Sequence, residues 1–280
     1  MNIFFRTFFK VALYVFAVIG IVFTAVFFGM RFGVFNVRGS IASRNQFFGG
    51  SLNPNTSTPA CTDTEPSCDW NGTPEWQAIS GGLAKDQAVI RLVSEETGVS
   101  ARMIAAVVIP EQTRFFTSNR DIFKSYFEPL KLLGSLTQFS LGVSGIKQET
   151  AADIEKYASD PSSPFYPGEG MSALLAYAPG ASHDTELYNR LTDTKDRRYQ
   201  YLYTALFIKE IESEWQRSGY DISQKPEAVV TLFNLGFQAS HPNANPQVAG
   251  APITTGGKTY AYGELGSQFY YSNELADIFP

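Results

Sequence analysis

The sequence predicts a mainly helical domain behind an N-terminal transmembrane helix. Helical periodicity recurs from Trp76 onward, strand-like alternation is sparse, and the first thirty residues contain one long uncharged run. The chain has 280 residues, of which 44% are hydrophobic, enough for one substantial core with appendages. Its net charge of −5 differs from the basic character of a general nucleic-acid binder, so we expect no nucleic-acid partner.

The N-terminal run VALYVFAVIGIVFTAVFFGM, residues 11–30, carries no charge. Twenty residues of helix span about 30 Å, the thickness of a bilayer core. A cleaved signal peptide is the alternative, but its apolar region is usually shorter and precedes a small-x-small cleavage site, which FFGMRFGVF does not offer. We therefore expect residues 1–30 to be a retained, single-pass anchor.

Residues 31–75 are rich in Gly, Ser, Asn, Thr and Pro, which is typical of a flexible linker. The linker contains both cysteines, Cys61 and Cys68. In an oxidising compartment they form one disulfide, whereas in the cytosol they stay free thiols. Two sulfurs without a neighbouring histidine do not fill a zinc shell, and there is no P-loop or dinucleotide fingerprint. We expect neither a metal site nor a cofactor.

The domain over residues 76–280 begins with two predicted helices. The first ends at Gly98, a residue type that favours the position after a helix. Ser100 is a good N-cap for the second, and Val99 and Ile104 have the spacing of a hydrophobic staple. The stretch Met103–Ile109 is apolar on every side, so this helix should be buried all round.

The later part of the chain alternates helices with loops. Residues 121–138 look helical on either side of Pro129, and residues 159–171 form an irregular loop. A long amphipathic helix is predicted over residues 196–219, and another starts with Pro226 at its first position and reaches Gly236. The aromatic and Gly-rich tail after residue 255 has no clear assignment.

Glu111 follows the buried helix, so its carboxyl lies at the edge of a core. Desolvation disfavours the charged form of a carboxyl, and a helix ending near Pro110 would point its negative end at Glu111 and act in the same direction. A carboxyl kept protonated near neutral pH is suited to protonate a glycosidic oxygen as a general acid. The alternative is a solvated glutamate in a loop after the helix.

Three segments, in this order, resemble the lysozyme-like lytic transglycosylases of the soluble-lytic type. GVSARMIAAVVIPEQ resembles the family's helix leading to a catalytic Glu-Ser pair. SLGVSGIKQETA resembles its Gly-Ala-x-Gly-Leu-Met-Gln…Thr-Ala element, and AVVTLFNLGF resembles its Ala-Ala-Tyr-Asn-Ala-Gly helix. The resemblance covers about residues 90–237 and implies a lysozyme-like helical fold.

The resemblance also implies a site. Glu111 would be the catalytic residue, and small residues beside it would let a polysaccharide approach the backbone. The implied substrate-binding residues are Gly142, Ser144, Gly145, Gln148, Phe233 and Asn234. The alternative for the glycines is a turn before a helix, in which they meet a need for positive φ.

Several positions depart from the family's pattern. Gln112 stands where the family has Ser, Pro110 is expected to disturb the helix, and Lys147 replaces an apolar residue. Phe233 replaces a Tyr, so a hydroxyl of the family's site is missing. The candidates to supply it lie in the tail and are Tyr260, Tyr262 and Tyr270. Glu264, in the same segment, is a candidate for an added polar group.

The reaction that the resemblance implies is lytic cleavage of peptidoglycan. Glu111 protonates the oxygen between N-acetylmuramic acid and N-acetylglucosamine, then takes the proton of the muramyl C6 hydroxyl as that oxygen closes onto C1, which leaves a 1,6-anhydro sugar. The implied partners are glycan strands and, through the anchor, the inner membrane, with the catalytic domain in the periplasm or outside the cell.

Three other functions stay open, one of them a structural membrane protein whose soluble part only docks partners. A hydrolytic lysozyme needs a second carboxylate, for which the candidates are Asp121, Glu128 and Glu149. A non-catalytic peptidoglycan-binding or assembly protein with the same fold is favoured by the departures from the family's pattern at Gln112 and Phe233.

Three aromatic residues either stack on sugars or belong to the core: Phe115, Phe116 and Tyr166. His183 has Asp184 beside it but no nucleophile elbow, so no serine hydrolase is expected.

Overall fold

The computed structural model describes residues 68–117, 140–238 and 240–280, together with eight helical positions between Lys10 and Thr24. The predicted anchor and linker therefore lie almost wholly outside the described residues, as does the predicted helical segment 121–138. Within the described part, no helix is both long and apolar enough to cross a membrane. Cys68 is disulfide-bonded, and Cys61, the chain's other cysteine, lies outside the described residues.

The described part of the chain is mainly helical, as the sequence predicts. Its α-helices are α1 Pro74–Thr97, α2 Ala101–Thr117, α3 Gln148–Ala158, α4 His183–Thr192, α5 Arg198–Arg217, α6 Pro226–Leu235 and α7 Tyr262–Tyr271. Two small antiparallel hairpins accompany them: β1 Ser140–Leu141 with β2 Ile146–Lys147, and β3 Pro252–Thr255 with β4 Lys258–Ala261. The tail that the sequence left unassigned thus forms the second strand of the second hairpin and α7.

The packed body begins before residue 76, where the sequence placed the domain boundary. Trp70 is only 2% exposed and packs edge-on against Trp76, with ring centroids 4.9 Å apart. Between them, the Thr73 hydroxyl accepts a hydrogen bond from the Trp76 amide (3.2 Å) and starts α1. The helix ends at Gly98 in the left-handed conformation (φ 75°), as predicted.

Helix α2 lies in the middle of the core. Every residue from Met103 to Ile109 is at most 2% exposed, which confirms the prediction of a helix buried all round. The Ser100 hydroxyl accepts a hydrogen bond from the Met103 amide at 3.1 Å, as expected for the N-cap. The helix does not end near Pro110, however; it continues to Thr117, so the argument that its negative end points at Glu111 was wrong.

Contacts from α7 explain why α2 continues through Pro110. Proline has no N–H, so the carbonyl of Ala106 loses its helical donor. Gly266 of α7 lies so close to that oxygen that a Cβ on the glycine would be 2.5 Å from it. One residue further on, the Tyr262 hydroxyl donates to the Val107 carbonyl at 3.1 Å. Helix α7 therefore covers α2 where the helical hydrogen-bond pattern is interrupted.

The other end of α7 is fixed by Arg102, which is only 7% exposed. Its guanidinium donates to five backbone carbonyls, those of Phe269, Tyr270, Ser272, Glu274 and Phe279. The last carbonyls of a helix have no intrahelical donor and attract positive charge. One side chain of α2 thus caps α7 and holds the segment that follows it.

Replacing Arg102 by lysine should destabilise the protein by about 3 kcal/mol, because an ammonium cannot reach all five carbonyls and leaves buried acceptors unsatisfied. Urea denaturation of the full chain measures the loss. The matched control is Arg91→Lys, because Arg91 is exposed and, among the described residues, bonds a single carbonyl, that of Ile278; less than about 1 kcal/mol is therefore expected there. Equal losses in the two variants would contradict the capping role.

Glu210, in the middle of α5, is a second buried ionisable group, with none of its residue surface exposed. Neither of its carboxyl oxygens has a hydrogen-bond partner among the described residues. Burial raises the pKa of Glu210 well above its ordinary value, and the nearby charge of Asp153 adds to the shift. Glu210 is therefore held in its neutral form by its surroundings.

The substitution Glu210→Gln should stabilise the protein at pH 8 and leave its stability nearly unchanged at pH 4.5. Because the folded-state pKa is raised, the wild type loses stability as pH rises above the ordinary value of 4.5. A glutamine cannot ionise and avoids that loss. Urea denaturation across this pH range gives the difference between the two proteins, with the exposed Glu95→Gln as control. A difference that is independent of pH would show that Glu210 is not the titrating group.

Candidate functional site

The turn between β1 and β2, residues 142–145, contacts other parts of the protein at every position. The Val143 amide donates to Gln200 Oε1 at 3.0 Å, and the Val143 carbonyl accepts a hydrogen bond from Gln112. The Ser144 hydroxyl accepts from Thr204 at 2.6 Å. Gln112, a departure from the family's pattern, therefore joins α2 to this turn.

The two glycines of the turn are required by protein neighbours. Gly145 has φ 65°, and a Cβ on it would overlap Glu111 Oε1 and lie 2.7 Å from Glu111 Cδ. Gly142 has φ 69°, and a Cβ there would be 2.9 Å from the Leu191 carbonyl oxygen. The backbone is closely approached at both glycines, but by protein atoms, and at Gly145 the neighbour is the Glu111 side chain. A sugar contact at these glycines stays a prediction.

Glu111 is buried, with 7% of its surface exposed, and it is paired with Arg114 one turn later in α2. The Nη2 atom of Arg114 lies 2.7 Å from Glu111 Oε1 and 2.6 Å from Oε2. An ion pair of this geometry stabilises the carboxylate. Burial and a nearby helix end, the two effects expected from the sequence, both act in the opposite direction, and the contact with Arg114 was not predicted.

Tyr262 supplies a hydroxyl at the same place. Its side chain is fully buried at the start of α7, and burial raises the pKa of Tyr262 well above its ordinary value, with the Glu111 charge and a Glu111 hydrogen bond adding to the shift. The Arg114 guanidinium lies 5.9 Å from the Tyr262 ring centroid. Of the three candidate tail tyrosines, this one therefore meets Glu111, while the hydroxyl of Tyr270 bonds Gln224.

Other predicted site residues have structural contacts. Ser144 is buried beside Thr204, and Phe233 packs against Phe207 with ring centroids 4.9 Å apart. Asn234 Oδ1 accepts a hydrogen bond from the Ala251 amide at 2.8 Å. These side chains position the turn, α6 and the segment before β3, and the contacts give no support to a substrate-binding role for them.

Gln148 and Glu264 also bond within the protein. Gln148 Nε2 donates to the Asp184 carbonyl at 3.0 Å, and its buried Oε1 has no partner among the described residues. Glu264, predicted as an added polar group, accepts a hydrogen bond from the Ala261 amide at 3.1 Å and so caps the start of α7. Gln148 therefore bonds the start of α4, and no hydrogen bond among the described residues joins it to Glu111.

The residues of the alternative interpretations are dispersed. Glu149 is exposed on the first turn of α3, and Lys147, the residue immediately before α3, is buried. Tyr166 is half-buried in the loop after α3, and Tyr260 is buried in β4. The remaining candidates lie outside the described residues or side chains: Phe115, Phe116, Asp121 and Glu128.

A second polar cluster, which the sequence did not reveal, surrounds Glu155 of α3. Its carboxylate accepts hydrogen bonds from the hydroxyls of Tyr177 and Tyr203, and lies 2.6 Å from His183 Nε2. The His183 Nδ1 atom lies 3.2 Å from Asp184 Oδ1. The bond to Glu155, followed by that to Asp184, raises the pKa of His183. The contact of His183 with Asp184 had been considered, but Glu155 is 28 residues away in the chain.

No family model matches the chain, and neither a characterised protein nor a solved structure is similar enough to count as a match. Among the described residues, no group of three or more His, Cys, Asp or Glu side chains is placed to hold a metal ion. The site is therefore defined by its own geometry: a buried Glu111 between Gly145, Arg114 and Tyr262.

The substitution Gly145→Ala should destabilise the protein by at least about 2 kcal/mol, because the new methyl group adds backbone strain and displaces Glu111. Gly98→Ala is the matched control, since Gly98 has a similar φ with open space around it, and only about 1 kcal/mol of backbone strain is expected. Urea denaturation compares the two. If both variants lose the same free energy, the contact between Glu111 and Gly145 contributes nothing.

Proposed function

We propose that this protein is a membrane-anchored peptidoglycan lytic transglycosylase with a lysozyme-like helical domain and Glu111 as its acid and base. The observation that carries the proposal is the contact of Glu111 with Gly145: the two motifs that resemble the family meet at their most informative residues. The Tyr262 hydroxyl beside them supports it, because it replaces the hydroxyl that Phe233 lacks.

The chemistry requires Glu111 in both protonation states. The protonated carboxyl donates its proton to the glycosidic oxygen as the bond to the muramyl C1 breaks. The resulting carboxylate takes the proton of the C6 hydroxyl, whose oxygen attacks C1 and closes the anhydro ring. Arg114 favours the carboxylate, so it stabilises Glu111 between the two proton transfers. The buried Tyr262 hydroxyl, which donates to the Val107 carbonyl, lies beside this pair.

The proposed location follows from the substrate. Peptidoglycan lies outside the bacterial inner membrane, so residues 1–30 would anchor the chain there with the helical domain on the outer side. The disulfide at Cys68 supports an oxidising compartment.

A second candidate is a non-catalytic peptidoglycan-binding or assembly protein. Two observations favour it: Arg114 contacts both carboxylate oxygens, and Glu111 is 7% exposed. A carboxylate held in this way has to exchange Arg114 for a proton before it can act as an acid.

Digestion of purified cell walls by the full chain, purified in detergent, tests the proposal. The wild type should release 1,6-anhydro muropeptides, and Glu111→Gln should reduce that release by at least about 100-fold, because an amide cannot transfer the proton. Truncation before residue 76 is unsuitable, because it would remove Trp70 from the core. Mass spectrometry of the products and circular dichroism of both proteins provide the readouts.

Glu95→Gln, an exposed carboxylate on α1, is the matched control and should cleave like the wild type. Products with reducing ends would indicate a hydrolytic lysozyme instead. No cleavage by a folded wild type that still sediments with the walls would refute the enzyme and support the binding protein.

A further inference from the structure

A cavity of about 300 Å³ lies between α5 and the loop that follows α3. The loop contributes Tyr166, Pro167 and Gly168, and α5 contributes Lys209, Glu212 and Arg217 together with two uncharged polar residues. We call it the α5 pocket. Its volume is at the lower end of the range for small-molecule sites and matches a ligand the size of one amino acid or one monosaccharide.

The loop wall of the α5 pocket is fixed in place. Arg217 Nη1 donates to the Ser163 carbonyl at 2.6 Å. Two residues further on, the Phe165 ring packs edge-on between Tyr157 (4.8 Å) and Phe237 (5.1 Å). Gly168 has φ 116° and open space where a side chain would begin, so nothing fills the pocket from that side. The pocket is therefore preformed, which lowers the entropy cost of binding.

The lining charges are of both signs. Lys209 and Arg217 are cations eight residues apart on α5, and Glu212 lies between them in the sequence. Burial raises the pKa of Glu212 to about 7, against the opposing effect of Lys209 and with a further contribution from Asp221. No other charged side chain of the described residues lines the pocket, and Glu212 forms no ion pair with a described residue. A partly desolvated carboxyl of this kind is stabilised by a cationic ligand.

We propose that the α5 pocket binds a zwitterionic amino-acid group, with the ligand's carboxylate at Lys209 and Arg217 and its ammonium at Glu212. A neutral sugar would supply no charge to any of the three charged side chains, and a simple anion would supply no cation to Glu212. One guanidinium N–H of Arg217 is used by Ser163, and the others form no hydrogen bond with a described residue, so they can bond a carboxylate. The Tyr166 ring forms the aromatic side of the pocket. The inference is independent of the proposed function.

Isothermal titration calorimetry on the full chain, in detergent, tests the proposal. The probes are alanine, as the smallest zwitterion, and diaminopimelic acid, as a longer one whose ends have the same groups. Both should bind, whereas glutarate and cadaverine, which carry only the anion or only the cation, should bind at least 10-fold more weakly. Binding by diaminopimelic acid alone would identify a longer diamino acid, free or in a peptide, as the ligand.

Glu212→Gln should weaken zwitterion binding at least 10-fold at pH 8. The matched control is Glu214→Gln on the same helix: burial also raises the pKa of Glu214 to about 7, but this residue bonds Ser240 and does not line the pocket. That variant should bind like the wild type.

The pH dependence provides an independent readout. A carboxyl with a pKa of about 7 is roughly one-tenth ionised at pH 6 and nine-tenths at pH 8, so zwitterion affinity should rise up to about 10-fold over that range. Glu212→Gln should abolish the rise. No binding of either zwitterion, or glutarate binding as tightly as alanine, would overturn the proposal whatever the wall-digestion assay shows.

Discussion

The antiparallel packing of α7 against α2 is the constraint on which the candidate site depends. Arg102 at the start of α2 holds the end of α7, and Tyr262 at the start of α7 reaches α2 at Val107 and Glu111. Between these ends, Gly266 allows contact with the carbonyl that Pro110 deprives of its donor. The position of α7 therefore determines both the continuation of α2 and the surroundings of Glu111.

Three buried or half-buried carboxyls in this domain have three different environments. Glu111 is paired with a guanidinium, and Glu155 accepts hydrogen bonds from two hydroxyls and lies against an imidazole. Glu210 has no partner among the described residues, and burial raises its pKa well above the ordinary value. These carboxyls therefore differ less in burial than in the donors that surround them.

The sequence predicted the features that depend on local pattern. The apolar run of α2, its Ser100 cap, the end of α1 at Gly98 and the start of α6 at Pro226 were all correctly predicted, because periodicity and capping preferences act within a few residues. The sequence also indicated that something approaches the backbone at Gly145. The approach expected there was that of a sugar chain, whereas the structure has the Glu111 side chain at that place.

What the sequence did not reveal depends on contacts between distant segments. From its local effect, Pro110 is expected to disturb the helix, but α7 compensates that effect from more than 150 residues away in the sequence. The same separation in sequence is why the sequence did not indicate which tail tyrosine lies beside Glu111. Arg114 is an exception, because its contact with Glu111 is local in sequence. Oppositely charged residues three apart in a helix commonly form an ion pair, so the sequence contains the signal for this one.

The apolar stretch Met103–Ile109 of α2 has a consequence for how the chain folds. Its covering partner, α7, is made long after α2 itself, since Tyr262 follows Val107 by 155 positions in the sequence. Until that partner arrives, a seven-residue hydrophobic stretch has one side without its native neighbour, a condition that promotes aggregation of intermediates. Such non-local pairing also slows folding. This domain should therefore depend on chaperones during synthesis more than its helical content alone suggests.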